Sequence, residues 1–310
     1  MRLFGYYDRA GLPAIGIRLA DRVLTLPELD EDLSSLLVMD PDLTELATPA
    51  RDLLAGGVPT VPVTQLVPAP AVPRPGKIVC IGLNYRDHVA EQRGEIPSRP
   101  LLFAKFANTV IADGAPIIRP AGTQALDLEA ELGVVIGRDA RRVRRKDAMR
   151  HVAGYVACND VTARDWQGNK AALREGERGD GQWLRAKGSD TFLPMGPDFV
   201  TPDEVPDPHR LAIRSWRIPG SEPDDGREIL MQDGTTADMI FDIPSLIEFV
   251  SAVITLEPGD IISTGTPAGV GVFRDPPVFL QPGDRVRVEV EGIGGVGNPI
   301  MDVAQAPQEV

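Results

Sequence analysis

The stretch from position 126 to 132 reads Leu-Asp-Leu-Glu-Ala-Glu-Leu. Side chains alternate between the faces of an extended strand. Asp127, Glu129 and Glu131 therefore share one face, and Leu126, Leu128, Ala130 and Leu132 the other. A half-solvated antiparallel strand is the ordinary reading of such alternation. Two features oppose it. No basic residue is interleaved among the like charges, and the strand runs on into Gly-Val-Val-Ile-Gly (133–137), which reads as buried on both faces. Carboxylates gathered at a buried place need a compensating cation. Another acid, Asp160, follows the apolar run Val152–Asn159. It reads equally as a helix N-cap, supported by Thr162 and Asp165, or as a ligand. Two carboxylates from one strand and one from the end of another form a hard oxygen donor set, which suits Mg²⁺ or Mn²⁺.

His88 and Glu91 lie three residues apart in Asp-His-Val-Ala-Glu-Gln, a segment with helical character. On a helix that spacing makes neighbours. A carboxylate orients an imidazole and raises its basicity, so the pair suits a general base; a surface helix with an incidental pair is the plain alternative. The remaining histidines, His151 and His209, lack comparable neighbours and read as structural. The run Thr264-Gly-Thr-Pro-Ala-Gly-Val-Gly271 allows backbone N–H groups to face an anion. It lacks the Gly-Lys-Ser/Thr ending of a nucleotide-binding loop.

The elements that must hold these residues are short. Glycine (31) and proline (29) punctuate a chain of 310 residues, which favours many strands and turns over long helices. The proline-rich stretch 67–76 reads as a linker. It suggests a small α+β unit over residues 1–72 and a larger, mostly β unit over 73–310. In the first, 14–19 and 22–26 read as a hairpin, 27–37 as a short helix, and 43–54 as a helical segment interrupted by Pro49. In the second, 77–82, 101–105, 115–118, 126–137, 152–159, 259–263 and 284–291 read as strands, and 244–253 as a helix. The net charge of −13 argues against nucleic acid. The basic cluster Arg138–Asp147 is short and reads as a solvated face. Cys80 and Cys158 sit in apolar runs and read as buried thiols of a reducing compartment. No apolar stretch is long enough for a membrane span, and no apolar leader is visible, so a cytoplasmic location is expected.

Taken in order, GLNYRDHVAE (82–91), LLFAKF (101–106), LDLEAELGVVIG (126–137), GYVACNDVTARDWQ (154–167), QWLRAKGSDTFLPMGP (182–197), MIFDIPSLIEFVS (239–251) and LEPGDIISTGTPAGVGVF (256–273) resemble the fumarylacetoacetate hydrolase family over roughly residues 77–300. The ending GVGVFRDPPVFLQPGD is most similar to the subgroup of mammalian domain-containing protein 2 members. The resemblance implies an α+β, mostly β fold, a mixed β-sandwich or roll, usually in a homodimer. It implies a Mg²⁺, Mn²⁺ or Ca²⁺ ion on Glu129, Glu131 and Asp160. His88, its partner Glu91, and Lys187 are the implied catalytic residues. Gln167, Thr266, Lys105 and Arg164 are the implied substrate contacts, and Asp127 is left outside the ligand set.

The chain departs from the family pattern at 168–181 and 214–227, both longer than usual and rich in glycine or proline; the first could shape a lid, and the second reads as a long turn in place of a short one. The expected substrate is a small keto acid, and the expected reaction is hydrolysis of a C–C bond in a 2,4-diketo acid to give pyruvate and a carboxylic acid. Decarboxylation of oxaloacetate or isomerisation of a 2-hydroxydienoate would use the same site. A non-catalytic, metal-stabilised binding protein is the alternative of another class.

Overall fold

The computed structural model describes all residues except 26–31, 170–171, 174–180, 221–225 and 306–310. Side chains at 47–51 are also not described. The expected hairpin forms from Pro13–Leu19 and Arg22–Thr25. The start of the short helix expected at 27–37 lies outside the described residues; within them a helix runs over Leu33–Met39, with the Asp32 side chain accepting from the Ser35 N–H. The segment expected to break at Pro49 is one helix, Thr44–Ala55.

One large sheet carries the site. Its strands run, from one edge, Val61–Pro62, Arg22–Thr25, Pro13–Leu19, Arg2–Tyr7, Asp198–Val200, Val152–Asn159, Ala130–Ile136, Ile261–Ser263, Ile78–Gly82 and Leu101–Lys105. The N-terminal strands thus join the same sheet as the site strands, through Arg2–Tyr7 pairing with Asp198–Val200. A second sheet orders Ile229–Thr235, Ala212–Ile218, Arg285–Val290, Gly294–Asp302 and Ile117–Arg119. The molecule is mostly β with short helices, as expected.

The core packs the site strands from both sides. Leu132, Val134 and Ile136 point to one face, where they meet Ile213, Val288 and Val290 of the second sheet and Leu246, Ile247 and Val250 of the helix Ile243–Ser251. Asp242 caps that helix, its side chain accepting from the Ser245 N–H, and Pro244 sits harmlessly in the first turn. Val135, Val156, Cys80 and Cys158 face the opposite cluster with Phe199 and Met195. Ala130–Ile136 is therefore buried on both faces, and fully burying each large aliphatic side chain contributes about 1.5–3 kcal/mol.

Two expectations need correction. The strand expected over 126–132 is broken: Leu126–Asp127 pairs with Thr162–Ala163, whereas Ala130–Ile136 pairs with Val152–Asn159. The break has a local cause. The Leu128 N–H is taken by the Asp127 carboxylate and the Glu129 N–H by the Asn159 side chain, so neither feeds a ladder. The segment 214–227 is not all turn either. Its first part belongs to the strand Ala212–Ile218, which has ladder partners on both sides.

Candidate active site

The loss of strand regularity at 128–129 turns Asp127 away from the other two acids. Glu129, Glu131 and Asp160 bring one carboxylate oxygen each to within 4.8 Å of one another, and all three are buried. Asp160 reaches them because Val152–Asn159 pairs with Ala130–Ile136 in a register that sets Asn159 opposite Ala130. Its N–H donates to the Glu129 carbonyl at 2.9 Å. It is not a helix cap: the next helix, Arg164–Gln167, starts after Ala163 and has no side-chain cap.

Three buried cations surround the acids. The Lys187 ammonium donates to Glu129 Oε2, Asp160 Oδ2 and Thr162 Oγ1, each at 2.8 Å. Lys105 Nζ is 2.7 Å from Asp160 Oδ1. Arg164 lies 2.7 Å from Glu129 Oε1 through Nη2 and donates to Asp127 Oδ2 at 2.9 Å through Nε. Burial disfavours the charge of Glu129, yet Lys187 and Arg164 hold it down to about 2. Burial likewise works against the Lys187 and Arg164 charges, and the adjacent carboxylates overcome it and raise both pKa values. For Lys105 burial prevails and its pKa is lowered.

Glu131 is the exception. Its Oε2 accepts from the Ser263 hydroxyl and, at 3.1 Å, from the Gly265 N–H. Burial, with the charges of Asp160 and Glu129 beside it, pushes its pKa well up. Asp127, Glu129, Glu131 and Asp160 face Lys105, Arg164 and Lys187, so the cluster lacks positive charge when all four acids are ionised. A hard divalent cation on Glu129, Glu131 and Asp160 fits both the donor set and that deficit.

The glycine-rich loop 264–271 serves these acids directly. The N–H groups of Gly265, Gly269 and Gly271 donate to Glu131, Glu91 and Asp127 respectively. The anions faced by this loop are thus carboxylates of the protein itself. Gly269 has φ +105, and a Cβ there would stand 2.3 Å from the Met231 carbonyl oxygen, so no other residue fits.

His88 sits on the helix Arg86–Glu91. Its Nδ1 is 2.6 Å from Glu91 Oε1, and its Nε2 is 2.7 Å from Gln92 Nε2. Phe273 packs edge-on against the imidazole, ring centroids 5.9 Å apart. A cavity of about 310 Å³ joins His88 to the acids. Among the expected residues, His88, Glu129, Glu131, Arg164, Gln167, Lys187 and Thr266 line it. Asp160 lies behind as the third acid, and Glu91 stands behind His88. Ile81, Leu83, Leu101, Phe103, Trp183 and Phe273 complete the lining with apolar surface.

Lys105 departs from the substrate contact expected for it. It is 1% exposed and lies outside the cavity lining; its ammonium donates to the carbonyls of Val161, Lys187 and Phe192 as well as pairing with Asp160. Gln167 accepts from Arg164 Nη1 at 3.2 Å. The Thr266 hydroxyl donates to the Ala130 carbonyl at 2.9 Å and accepts from Gln232 at 2.7 Å. The lid expected over 168–181 lies largely outside the described residues.

Two contributors escaped the sequence reading. Gln92 is four residues from His88, a spacing that places it on the same helical face. Gln232 accepts from the Ala130 N–H and the Ser215 hydroxyl and donates to Thr266 and the Pro267 carbonyl. Nothing in the surrounding sequence marks it.

A family profile described as fumarylacetoacetate (FAA) hydrolase, C-terminal, matches residues 77–301. The human protein named oxaloacetate tautomerase FAHD2A, mitochondrial, is 43% identical over 252 residues, covering 81% of this chain and 75% of that protein. The Pongo abelii protein named fumarylacetoacetate hydrolase domain-containing protein 2 is 42% identical over 252 residues, with the same coverage of 81% and 75%. A solved fumarylacetoacetate hydrolase from Exiguobacterium antarcticum superposes with a TM-score of 0.78 at 33% identity, over 97% of this chain and 99% of that one. Among the described residues no helix is long and apolar enough to cross a membrane. The chain belongs to the fumarylacetoacetate hydrolase family of enzymes, and within it to the domain-containing protein 2 group.

Proposed function

We propose that the chain is a tautomerase interconverting the enol and keto forms of a 2-oxo dicarboxylic acid of the oxaloacetate type, with Mg²⁺ as its ion. The observation that carries this reading is the His88–Glu91 pair, 2.6 Å apart, with its ring in the same cavity as the acids. The activity named for the human relative supports it. A divalent ion held by Glu129, Glu131 and Asp160 would supply Lewis acidity toward the oxygen on which negative charge develops.

The residues of the chain do the rest. His88 Nε2 takes a proton from C3; the C–H electron pair becomes the C2–C3 π bond, and the C2=O π pair moves onto oxygen. That oxygen takes a proton from water to become the enol hydroxyl, and the imidazolium returns its own proton to water. The reverse sequence returns the keto form. Glu91 fixes the proton on Nδ1 and stabilises the imidazolium that forms. Lys187 and Arg164 offset negative charge developing on oxygen in a site where water screens little. Gln167 and Thr266 orient the acid. The cavity volume, about 310 Å³, is at the small end for ligand sites and suits a short-chain acid.

The test follows the ultraviolet absorbance of enol-oxaloacetate in the presence of Mg²⁺. The protein should accelerate its decay to the keto form, and His88→Ala should lose about 10²–10⁴-fold of that acceleration. Unchanged activity in His88→Ala refutes the assignment. The same dyad also suits the hydrolysis expected from the sequence: a water activated on His88 would attack the distal carbonyl of an acylpyruvate. Pyruvate release in the same samples measures that reading, and bicarbonate release measures decarboxylation. A homodimer and a cytoplasmic location complete the proposal, with sedimentation and cell fractionation as their tests.

A further inference from the structure

Gln92 follows the helix Arg86–Glu91, is only part-exposed, and lines the cavity beside His88. The hydrogen bonds around the imidazole define its tautomer. Glu91 Oε2 accepts from the Gly269 N–H at 2.9 Å, and its Oε1 is 2.6 Å from His88 Nδ1. An ionised carboxylate only accepts, so Nδ1 carries the ring proton and Nε2 presents its lone pair. Gln92 Nε2 stands 2.7 Å from that lone pair, so its amide N–H donates to it. The atom that must act as base is thus covered by a donor of the protein itself.

We propose that Gln92 is a specificity-determining residue: its amide keeps water off His88 Nε2 and biases the site toward proton transfer with a bound keto acid and away from hydrolysis. The proposal deepens the tautomerase reading and rests on it. The two reactions ask different things of Nε2. In tautomerisation the C3–H of the substrate itself approaches the ring. A substrate anchored at its other end retains that binding when the Gln92 amide gives way. In hydrolysis a water must first occupy the lone pair. Its oxygen then bonds to the distal acyl carbon, the bond from that carbon to C3 breaks, and C3 takes up a proton. A water replacing the amide exchanges one hydrogen bond for another, loses its mobility, and leaves Gln92 without its partner. The amide therefore holds its place against water and yields to anchored substrate.

The experiment compares the 310-residue chain with its Gln92→Ala and Gln92→Leu variants, all loaded with Mg²⁺. Each is assayed for enol-oxaloacetate tautomerisation and for acylpyruvate hydrolysis, and the readout is the ratio of the two kcat/KM values. Thermal melts confirm folding, which the part-exposed position of Gln92 favours. Gln92→Ala opens room for water and should raise the hydrolysis-to-tautomerisation ratio about tenfold or more. Gln92→Leu fills the same space without a donor and should not. No gain in hydrolysis by Gln92→Ala overturns the proposal, and an equal gain in Gln92→Leu overturns the water-exclusion account. A wild-type chain without tautomerase activity overturns the function reading instead, while absolute hydrolysis rates of wild type and Gln92→Ala still decide the role of Gln92.

Discussion

Lys105 offers the sharpest perturbation, because its structural placement and its expected substrate role make opposite predictions. Its ammonium is buried against Asp160 at 2.7 Å and donates to the carbonyls of Val161, Lys187 and Phe192. Lys105→Met keeps most of the volume and deletes the charge. Removing one partner of a buried ion pair costs about 3–5 kcal/mol, because the other charge loses compensation, although Lys187 remains beside Asp160. The stranded carbonyls belong to the same network, so their loss is part of that figure and is not added to it. For 310 residues at about 2.1 cal/mol/K each, the unfolding entropy is about 0.65 kcal/mol/K. Lys105→Met should therefore lower Tm by about 5–8 °C. It should also weaken Mg²⁺ binding, since Asp160 loses one of the two ammonium groups that aim it. At saturating Mg²⁺ the KM should change little. The assays are differential scanning calorimetry without metal and steady-state kinetics across a Mg²⁺ titration. A Tm within about 2 °C of wild type, together with a KM raised about tenfold at saturating Mg²⁺, would refute the reasoning and return Lys105 to the substrate.

Metal binding should depend on pH through Glu131. Its folded-state pKa is raised by burial and by Asp160 and Glu129, so in the metal-free protein its contribution to stability is fully present below the unfolded value, about 4.3, and is lost as pH rises toward the folded value. An ion must displace that proton. The Tm gain on adding Mg²⁺ should therefore be larger at pH 8 than at pH 6; equal gains, or a gain retained in Glu131→Gln, count against it. Glu129 works in the opposite sense: held down to about 2, it stabilises the fold above its unfolded value and ceases to do so as pH falls toward 2. Gln232→Leu strands the Ala130 N–H and the Ser215 hydroxyl and frees Thr266. A loss of about 2–3 kcal/mol is expected in a denaturant titration, with a raised KM; unaltered stability would show that water replaces the amide.

Local spacing made part of the site legible. Period-2 alternation placed Glu129 and Glu131 on one face, and they do converge in one cluster. Three-residue spacing placed Glu91 beside His88, and their side chains meet at 2.6 Å. Apolar runs marked the doubly buried strand Ala130–Ile136 and the helix Ile243–Ser251. Each of these depends on residues a few positions apart, where backbone geometry alone sets the neighbours.

Tertiary structure decided the rest. Asp160 could be read as a cap or a ligand until strand pairing set it beside Glu129. The 126–132 strand was continuous by pattern, but the Asn159 side chain takes the Glu129 N–H from a position 30 residues away. Lys105 looked available to substrate by family pattern; the carbonyls of Lys187 and Phe192, 82 and 87 residues on, enclose it. Gln232 ties together Ala130 and Thr266 across separations of 102 and 34 residues, which no local pattern can register. The sequence alone marks Glu129 and Glu131 as neighbours and gives His88 its partner, but it groups Asp127 with acids from which the fold separates it. Which cation meets which acid is settled only by folding, because a buried charge takes its environment from whatever distant segments pack around it.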